Sequence, residues 1–163
     1  MNAVDWLSKN APGFAELPEL DRETISDFAL LWSFFESTAM GTSASAKSIQ
    51  HLAKSWFDSG KLNGNPFDGP LSYFRDRYFT KTNETEYFKG LMLRANDNES
   101  MVRDVLSGKS DEPVECAAGL FIVIYRLRNN LFHGAKWAYG IKGQHGNFMN
   151  ANLALIAALE LGL

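Results

Sequence analysis

Apolar residues recur at helical spacing along most of the chain, and this pattern predicts a protein built from α-helices. In the segment from Ile25 to about Met40, Leu30 and Phe34 make the predicted helix apolar nearly all round, so we expect it to be buried on two sides. Asp21 or Thr24 is expected to cap its start. Shorter helices are predicted at residues 2–8, 44–57, 71–79, 85–93, 98–106 and 150–161.

The most apolar run of the chain leads directly into a polar cluster. A long helix is predicted from Glu112 or Pro113 to about Phe132, and Gly134 is a natural stop signal. The sequence shows no sustained two-residue alternation and no internal repeat. We therefore predict one all-α domain, residues 1–163, that forms a helical bundle of about six to eight helices.

Large aromatic side chains on the predicted helices are core candidates, because helical spacing favours burial over contact with a ligand. These candidates are Trp32, Phe34, Phe35, Trp56, Phe57 and Phe74. The apolar segment from Leu153 to Leu161 has two open interpretations, core or dimer face. The segment from Gly140 to Gly146 lacks the Gly-Lys-Ser/Thr ending of a phosphate-binding loop, so it is predicted to be a surface turn.

Composition is typical of a folded protein with one domain. Of the 163 residues, 45% are hydrophobic and 13% are aromatic, which is enough to build a core. The formal net charge of −3 argues against a protein that binds mainly by coating a nucleic-acid backbone, but it is compatible with a small basic pocket. Cys116 is the only cysteine, so no intramolecular disulfide can form.

No metal site, cofactor or membrane segment is predicted. The histidines His51, His133 and His145 are far apart in the sequence, and no set of thiolates exists. Residues 1–10 lack the apolar region of a signal peptide, and the apolar run that ends near Leu127 is too short to span a membrane. We therefore expect a cytoplasmic protein.

The residues at the end of the long helix suit phosphodiester chemistry. Arg128 offers a fixed fork of donors for phosphate oxygens, and the imidazole of His133 can act as a general acid or base. Asn129 can add hydrogen bonds. On an ideal helix the side chains of Arg128 and His133 point about 140° apart. For both to reach one substrate, the helix must end or distort between them, or a second copy of the chain must contribute.

These residues also resemble a known family. The segment Arg128-Asn129-Asn130-Leu131-Phe132-His133-Gly134 matches the R-x4-6-H motif of HEPN-domain proteins, with the shorter spacing and the polar residue often found after the arginine. Its helix resembles the hallmark helix of bacterial HEPN proteins tied to defence and toxin systems. An earlier segment, Trp32-Ser33-Phe34-Phe35-Glu36, is similar to the aromatic-plus-acid segment of many such domains. Beyond these residues the resemblance lies in helical class and order.

The resemblance implies a metal-independent endoribonuclease that acts as a homodimer, with two copies of the motif in a shared cleft. His133 would activate the ribose 2′-hydroxyl or protonate the leaving oxygen, and Arg128 would hold the scissile phosphate. Asn129 would orient Arg128, His133 or the phosphate. The residues predicted to support the site are Glu36, Asn130 and Lys136.

The implied partners are RNA, a second copy of the chain and an antitoxin or another defence protein. Members of the family that are neutralised by a nucleotidyltransferase partner carry a tyrosine two residues after the histidine. This chain has Ala135 at that position, so the resemblance does not extend to that kind of regulation.

Each site residue also has a structural interpretation. Arg128 would pair with an acid such as Glu36 or Asp27, and His133 would be a helix-end residue favoured by the helix dipole. The structural interpretation is favoured for Glu36, Asn130 and Lys136. Two alternatives to a ribonuclease stay open: a non-catalytic HEPN module that dimerises or binds a partner protein or RNA, and a plain helical protein whose arginine and histidine are structural.

Overall fold

A computed structural model describes residues 1–134, 137 and 140–162. Within these residues the helices are α1 (Ala3–Asn10), α2 (Glu19–Ala39), α3 (Ala46–Asp58), α4 (Asp68–Tyr78), α5 (Glu99–Leu106), α6 (Pro113–Phe132) and α7 (His145–Glu160). A 3₁₀ turn covers Phe88–Leu91, and a short antiparallel hairpin pairs β1 (Phe79–Thr80) with β2 (Asn83–Glu84). The predicted all-α bundle is confirmed.

The predicted boundaries of α6 are confirmed, and local contacts explain them. The Glu112 side chain accepts a hydrogen bond of 3.1 Å from a backbone N–H of the first turn. Pro113 opens the helix, where an amide hydrogen has no intrahelical partner in any case. His133 is the C-cap, and Gly134 follows with φ +78°, a left-handed conformation that glycine adopts without a steric penalty.

Helix α2 begins earlier than predicted, and its start is not capped by either expected side chain. It begins at Glu19, directly after Pro18, rather than at Ile25. Asp21 lies inside the first turn, and the Thr24 hydroxyl donates to the carbonyl oxygen of Leu20 at 2.7 Å. The acidic residues of the first turn stabilise this start through the helix dipole instead of through a cap.

Three further boundaries differ from the prediction. Residues 85–93 contain only the 3₁₀ turn, because Met92 adopts a left-handed conformation directly after it. The helix predicted to reach Phe79 stops one residue earlier, where the hairpin begins. Helix α7 includes Gly146, which was predicted to lie in a turn. A Cβ atom at Gly146 would overlap the Tyr73 side chain, so glycine permits this close approach between α7 and α4.

Helix α6 runs through the centre of the core, packed along α3 and α5, while α2 packs mainly along α7. The ring of Phe121 contacts Phe35 of α2, Trp56 of α3 and Phe67, at centroid distances of 5.4, 5.3 and 5.1 Å. Such aromatic contacts add directional packing to the burial of apolar area. They fix the position of α6 and therefore of the polar residues at its end. No helix of the described residues is long and apolar enough to cross a membrane.

The prediction that α2 is buried on two sides is wrong. Leu30 is 71% exposed and Phe34 is 59% exposed, because α2 packs on the core through one side only. Phe57, another core candidate, is also exposed, since it lies on the outer side of α3. The other four aromatic core candidates are buried: Trp32, Phe35, Trp56 and Phe74.

The outer sides of α2 and α7 together form an apolar surface. Leu153 and Ile156 of α7 are exposed, as are Leu30 and Phe34 of α2, and Ile156 lines a shallow depression of about 500 Å³ together with Leu30 and Phe34. We call these four residues the α2–α7 face. The core interpretation of the last helix holds for its other side, which includes the buried residues Ala154, Leu155 and Ala158, and the dimer-face interpretation of its exposed residues stays a prediction.

Candidate functional site

Arg128 lies on the last turns of α6 with its guanidinium held from three directions. Its Nη1 donates to the Oδ1 of Asn129 at 3.0 Å, and its Nη2 lies 3.6 Å from the Oε2 of Glu36 on α2. The guanidinium carbon also lies 5.3 Å from the ring centroid of Phe132, one turn further along. The side chain keeps 28% of its area exposed, so Arg128 is oriented by the fold and still accessible.

Glu36 is itself fixed by neutral donors. Its Oε2 accepts a hydrogen bond from the indole nitrogen of Trp32 at 3.0 Å, and its Oε1 accepts one from the backbone N–H of Ala44 at 3.1 Å. Since each oxygen has its own donor, the carboxylate presents a defined negative charge to Arg128. The structural interpretation of Arg128 as a partner of Glu36 therefore agrees with the observed contact, and this contact also orients the guanidinium.

One donor of Arg128 has no acceptor. The Nε atom is buried and has no hydrogen-bond partner among the described residues. Buried donors in folded proteins nearly always have a partner, so an orphan donor needs a specific explanation. Because this atom is buried, only the partly exposed remainder of the guanidinium can reach a ligand.

His133 lies at the very end of α6 and is exposed. Its backbone N–H still donates to the carbonyl oxygen of Asn129 at 2.9 Å. Because the helix stays regular through Phe132, the side chain of His133 is expected to point about 140° away from that of Arg128 around the helix axis. The helix ends only at Phe132, directly before His133, so we expect a single chain to present the two side chains on different sides of the helix end.

Asn129 and Asn130 are both buried, but they serve different sides of α6. Asn129 accepts the hydrogen bond from Arg128 described above. The Nδ2 atom of Asn130 lies 3.1 Å from the carbonyl oxygen of Gly90 and 3.2 Å from that of Leu91. Asn130 therefore ties α6 to the 3₁₀ turn. It does not lie in a direct contact with Arg128, and the structural interpretation suits it.

Arg126 forms a second charged contact that the sequence did not reveal. Its Nε lies 3.6 Å from the Oδ2 of Asp97, and both side chains are 3% exposed. The same Nε donates to the carbonyl oxygen of Leu91 at 3.2 Å, and Nη2 lies 3.5 Å from the Oδ1 of Asn130. Burial lowers the pKa of Arg126, and the charge of Asp97 opposes this effect. An arginine inside an apolar run was the available signal, because a buried charge requires a partner.

Phe132 is the other residue that the sequence interpretation did not include in the site. It is 56% exposed beside Arg128, and an exposed aromatic ring next to a cation is a surface on which a nucleobase can stack. Lys136, predicted to support the site, and Ala135 lie outside the described residues. Among the described residues, no group of three or more His, Cys, Asp or Glu side chains could hold a metal ion.

Comparisons of this chain with models of known protein families, with curated proteins and with solved structures found no match.

Proposed function

We propose that this protein is a metal-independent endoribonuclease of the HEPN type. The observation that carries the proposal is the arrangement at the end of α6, where Arg128 is oriented by Asn129 and Glu36 but remains partly exposed, and where His133, five residues later, is also exposed. Arginine held in this way suits the recognition of a phosphate, and an exposed imidazole suits proton transfer near neutral pH. The all-α bundle is compatible with the family that the motif resembles.

The proposed reaction is an internal transesterification of RNA. The ribose 2′-oxygen attacks the adjacent phosphorus, the 5′-oxygen leaves, and the products carry a 2′,3′-cyclic phosphate and a 5′-hydroxyl. His133 takes the proton from the 2′-hydroxyl or gives one to the leaving oxygen. Arg128 stabilises the charge that develops on the phosphate oxygens through the exposed part of its guanidinium. Asn129 and Glu36 position Arg128.

A second copy of the chain completes the site in this proposal. Within one chain the side chains of Arg128 and His133 are expected to point in different directions, so the histidine of one copy would serve the arginine of the other. The α2–α7 face supports such an assembly, because exposed apolar surfaces of this kind mark contacts between proteins. RNA is the proposed substrate, and a defence or toxin–antitoxin setting, with an antitoxin or another defence protein as a partner, follows from the family resemblance.

Cleavage of RNA in excess chelator tests the catalytic roles. The wild-type protein is expected to cleave single-stranded RNA and to leave 2′,3′-cyclic phosphate ends. Arg128→Ala and His133→Ala are each expected to lower the rate by roughly a hundredfold or more, with the fold retained. Lys47→Ala, on the exposed side of α3, is the matched control for the loss of a surface cation. Cleavage that survives both site substitutions would contradict the assignment.

Mixing two inactive variants tests the shared site. A heterodimer of the Arg128→Ala and His133→Ala chains contains one site with both changes and one site with neither, if the two residues of a site come from different copies. Each heterodimer is then expected to have up to about half of the activity of a wild-type dimer, whereas each variant alone stays inactive. A mixture without activity, despite proven exchange of subunits, would show that both residues act within one chain.

A non-catalytic HEPN module that dimerises or binds a partner is the second candidate. The ion pair between Arg128 and Glu36 and the exposed α2–α7 face favour it, since a structural arginine and an apolar surface are all that such a module needs. Phe34→Asp separates the candidates. The ribonuclease is expected to lose both its dimer and its cleavage with this change. A protein that dimerises through Phe34 but cleaves no RNA in any form would establish the module instead.

A further inference from the structure

A cavity of about 360 Å³ lies on the other side of α6 from Glu36. It is lined by residues of α4, by the segment between the hairpin and α5, by Asn130 of α6 and by the first turn of α7. Its volume falls within the usual range for pockets that hold small organic ligands. Neither Arg128 nor His133 lines it, so it is a separate feature from the proposed ribonuclease site.

Two cations line this cavity and outnumber its one acid. These are Arg77 and Lys89, and no carboxylate of the described residues lies within 4.0 Å of either. Glu86 is the single acid among the lining residues, so the cavity carries an excess of positive charge. In a protein with a net charge of −3, such a local excess needs a reason.

The guanidinium of Arg77 stacks with its flat face on the ring of Tyr87. Its central carbon lies 4.3 Å from the ring centroid of Tyr87, which is 49% exposed. Stacking of this kind orients the group, and side-chain hydrogen bonds to Tyr73 and Tyr78 hold it further. The Nε of Arg77 is buried, so only the outer part of the guanidinium can reach a ligand. Arg77 is therefore pre-oriented at the wall of the cavity.

The polar groups beside Arg77 do not neutralise it. Burial raises the pKa values of both Tyr73 and Tyr78, and the smaller effect of Arg77 opposes this rise, so both remain neutral phenols. The Tyr73 hydroxyl donates to the Oδ1 of Asn147 at 3.1 Å, and the Nδ2 of Asn147 donates to the Oε1 of Gln144 at 2.9 Å. This chain of hydrogen bonds fixes the cavity wall without adding a negative charge.

Gln144 precedes α7, and no side chain caps the start of that helix. The free amides at a helix start carry partial positive charge and add to the attraction that Arg77 and Lys89 exert on an anion. The principal observations remain the half-open cavity, the stacked Arg77, and Lys89, which has no acidic partner among the described residues.

We propose that the cavity lined by Arg77, Tyr87 and Lys89 binds a phosphate ester. Arg77 supplies a bidentate contact to the phosphate oxygens, Lys89 supplies a mobile charge, and the partly exposed ring of Tyr87 borders the organic part of the ligand. The volume accommodates about one nucleotide-sized group. The ester belongs either to a free small molecule or to one residue of an RNA strand, and the chemistry of recognition is the same for both.

Calorimetric titration at low salt tests this site, with the full-length His133→Ala protein used so that RNA stays intact. The probes are inorganic phosphate, adenosine 5′-monophosphate and a single-stranded RNA oligonucleotide. Arg77→Lys keeps the charge but removes the planar fork, and Lys89→Glu reverses an exposed charge. Each change is expected to weaken binding of the ester by about tenfold or more. Lys47→Glu, which makes the same charge change on α3 outside the cavity, is expected to leave binding unchanged.

The three probes distinguish the sources of the ester. If binding of adenosine 5′-monophosphate depends on Arg77 and Lys89, the ligand is a small molecule. If only the binding of RNA depends on these two residues, the ligand is a strand that passes through the cavity. The proposal is overturned if no probe binds, or if binding is the same in Arg77→Lys, Lys89→Glu and the parent protein. Unfolding curves of the Lys89→Glu protein separate a lost ligand contact from a lost fold. RNA cleavage by the chain with His133 intact is measured separately, so the two proposals can fail independently.

Discussion

Arg126 and Arg128 lie two residues apart on α6, and each has a carboxylate oxygen at 3.6 Å. Their surroundings differ. The side chains of Arg126 and Asp97 are both 3% exposed, whereas those of Arg128 and Glu36 are 28% and 18% exposed. A pair that is fully removed from water holds a fold together only while both members are present, and a partly exposed pair leaves the cation available to a ligand. Distance alone therefore does not assign a role to an ion pair.

The contacts around each pair reinforce this difference. Arg126 donates to a backbone carbonyl and to Asn130, which binds the same 3₁₀ turn. Arg128 instead contacts Asn129 and the exposed ring of Phe132, and its Nε has no partner among the described residues. The guanidinium of Arg126 is thus buried by structural contacts, whereas that of Arg128 stays partly exposed.

The largest effect is expected when the closed pair is broken. Asp97→Asn removes the negative charge and leaves the guanidinium of Arg126 buried, which is expected to lower the free energy of unfolding by about 3–5 kcal/mol. Urea denaturation followed by circular dichroism measures the free energy of unfolding. Asp111→Asn is the matched control, because Asp111 pairs with Arg75 at 2.9 Å but is 79% exposed, and its loss is expected to cost about 1 kcal/mol or less. Equal losses for the two variants would show that burial does not separate these pairs.

A smaller loss of stability is expected at Asn130. Asn130→Ala removes the donor that binds the carbonyl oxygens of Gly90 and Leu91, and the expected cost is about 1–3 kcal/mol. Hydrogen exchange locates the effect, since amides of residues 88–93 are expected to exchange faster than those of α2. Unchanged exchange in this segment would mean that Asn130 does not hold the turn on α6.

The smallest change in stability is expected on the open side. Glu36→Gln keeps the shape of the side chain but removes the charge that faces Arg128, so it is expected to cost about 1 kcal/mol. RNA cleavage is expected to fall by roughly tenfold to a hundredfold, because Arg128 would be less well positioned. Urea denaturation and a cleavage time course on the same sample measure both quantities. Full activity in Glu36→Gln would remove Glu36 from the proposed positioning role.

The sequence predicted the helical class and most of the helices, because apolar spacing and the helix stop signals are local. The predicted burial of some apolar side chains was wrong. Leu30 and Phe34 are as apolar as the buried residues of α2, and only the packing partners of the helix decide which side is covered. The start of α7 was missed for a similar reason, since Gly146 is a turn former by itself, and its place in a helix that packs against Tyr73 depends on contacts that are distant in the sequence.

Only part of the candidate site could be predicted from the sequence. The Arg128 and His133 motif is contiguous, and their placement at the helix end follows from helical geometry and Gly134. The partners of the motif come from distant segments. Glu36 was one of two acids predicted to pair with Arg128. The pairing of Asp97 with Arg126 was not predicted, because nothing in the local sequence of Asp97 indicates a buried charge.

The division of roles between the two arginines is tested most directly by one paired measurement on Arg126→Gln and Arg128→Gln. The free energy of unfolding and the rate of RNA cleavage in chelator are measured for both, at a temperature where both are folded. Arg128→Gln is expected to change stability by about 1 kcal/mol or less and to lower cleavage by about a hundredfold or more. Arg126→Gln is expected to lose about 3 kcal/mol or more and to keep its cleavage activity. Wild-type cleavage by Arg128→Gln would contradict the account.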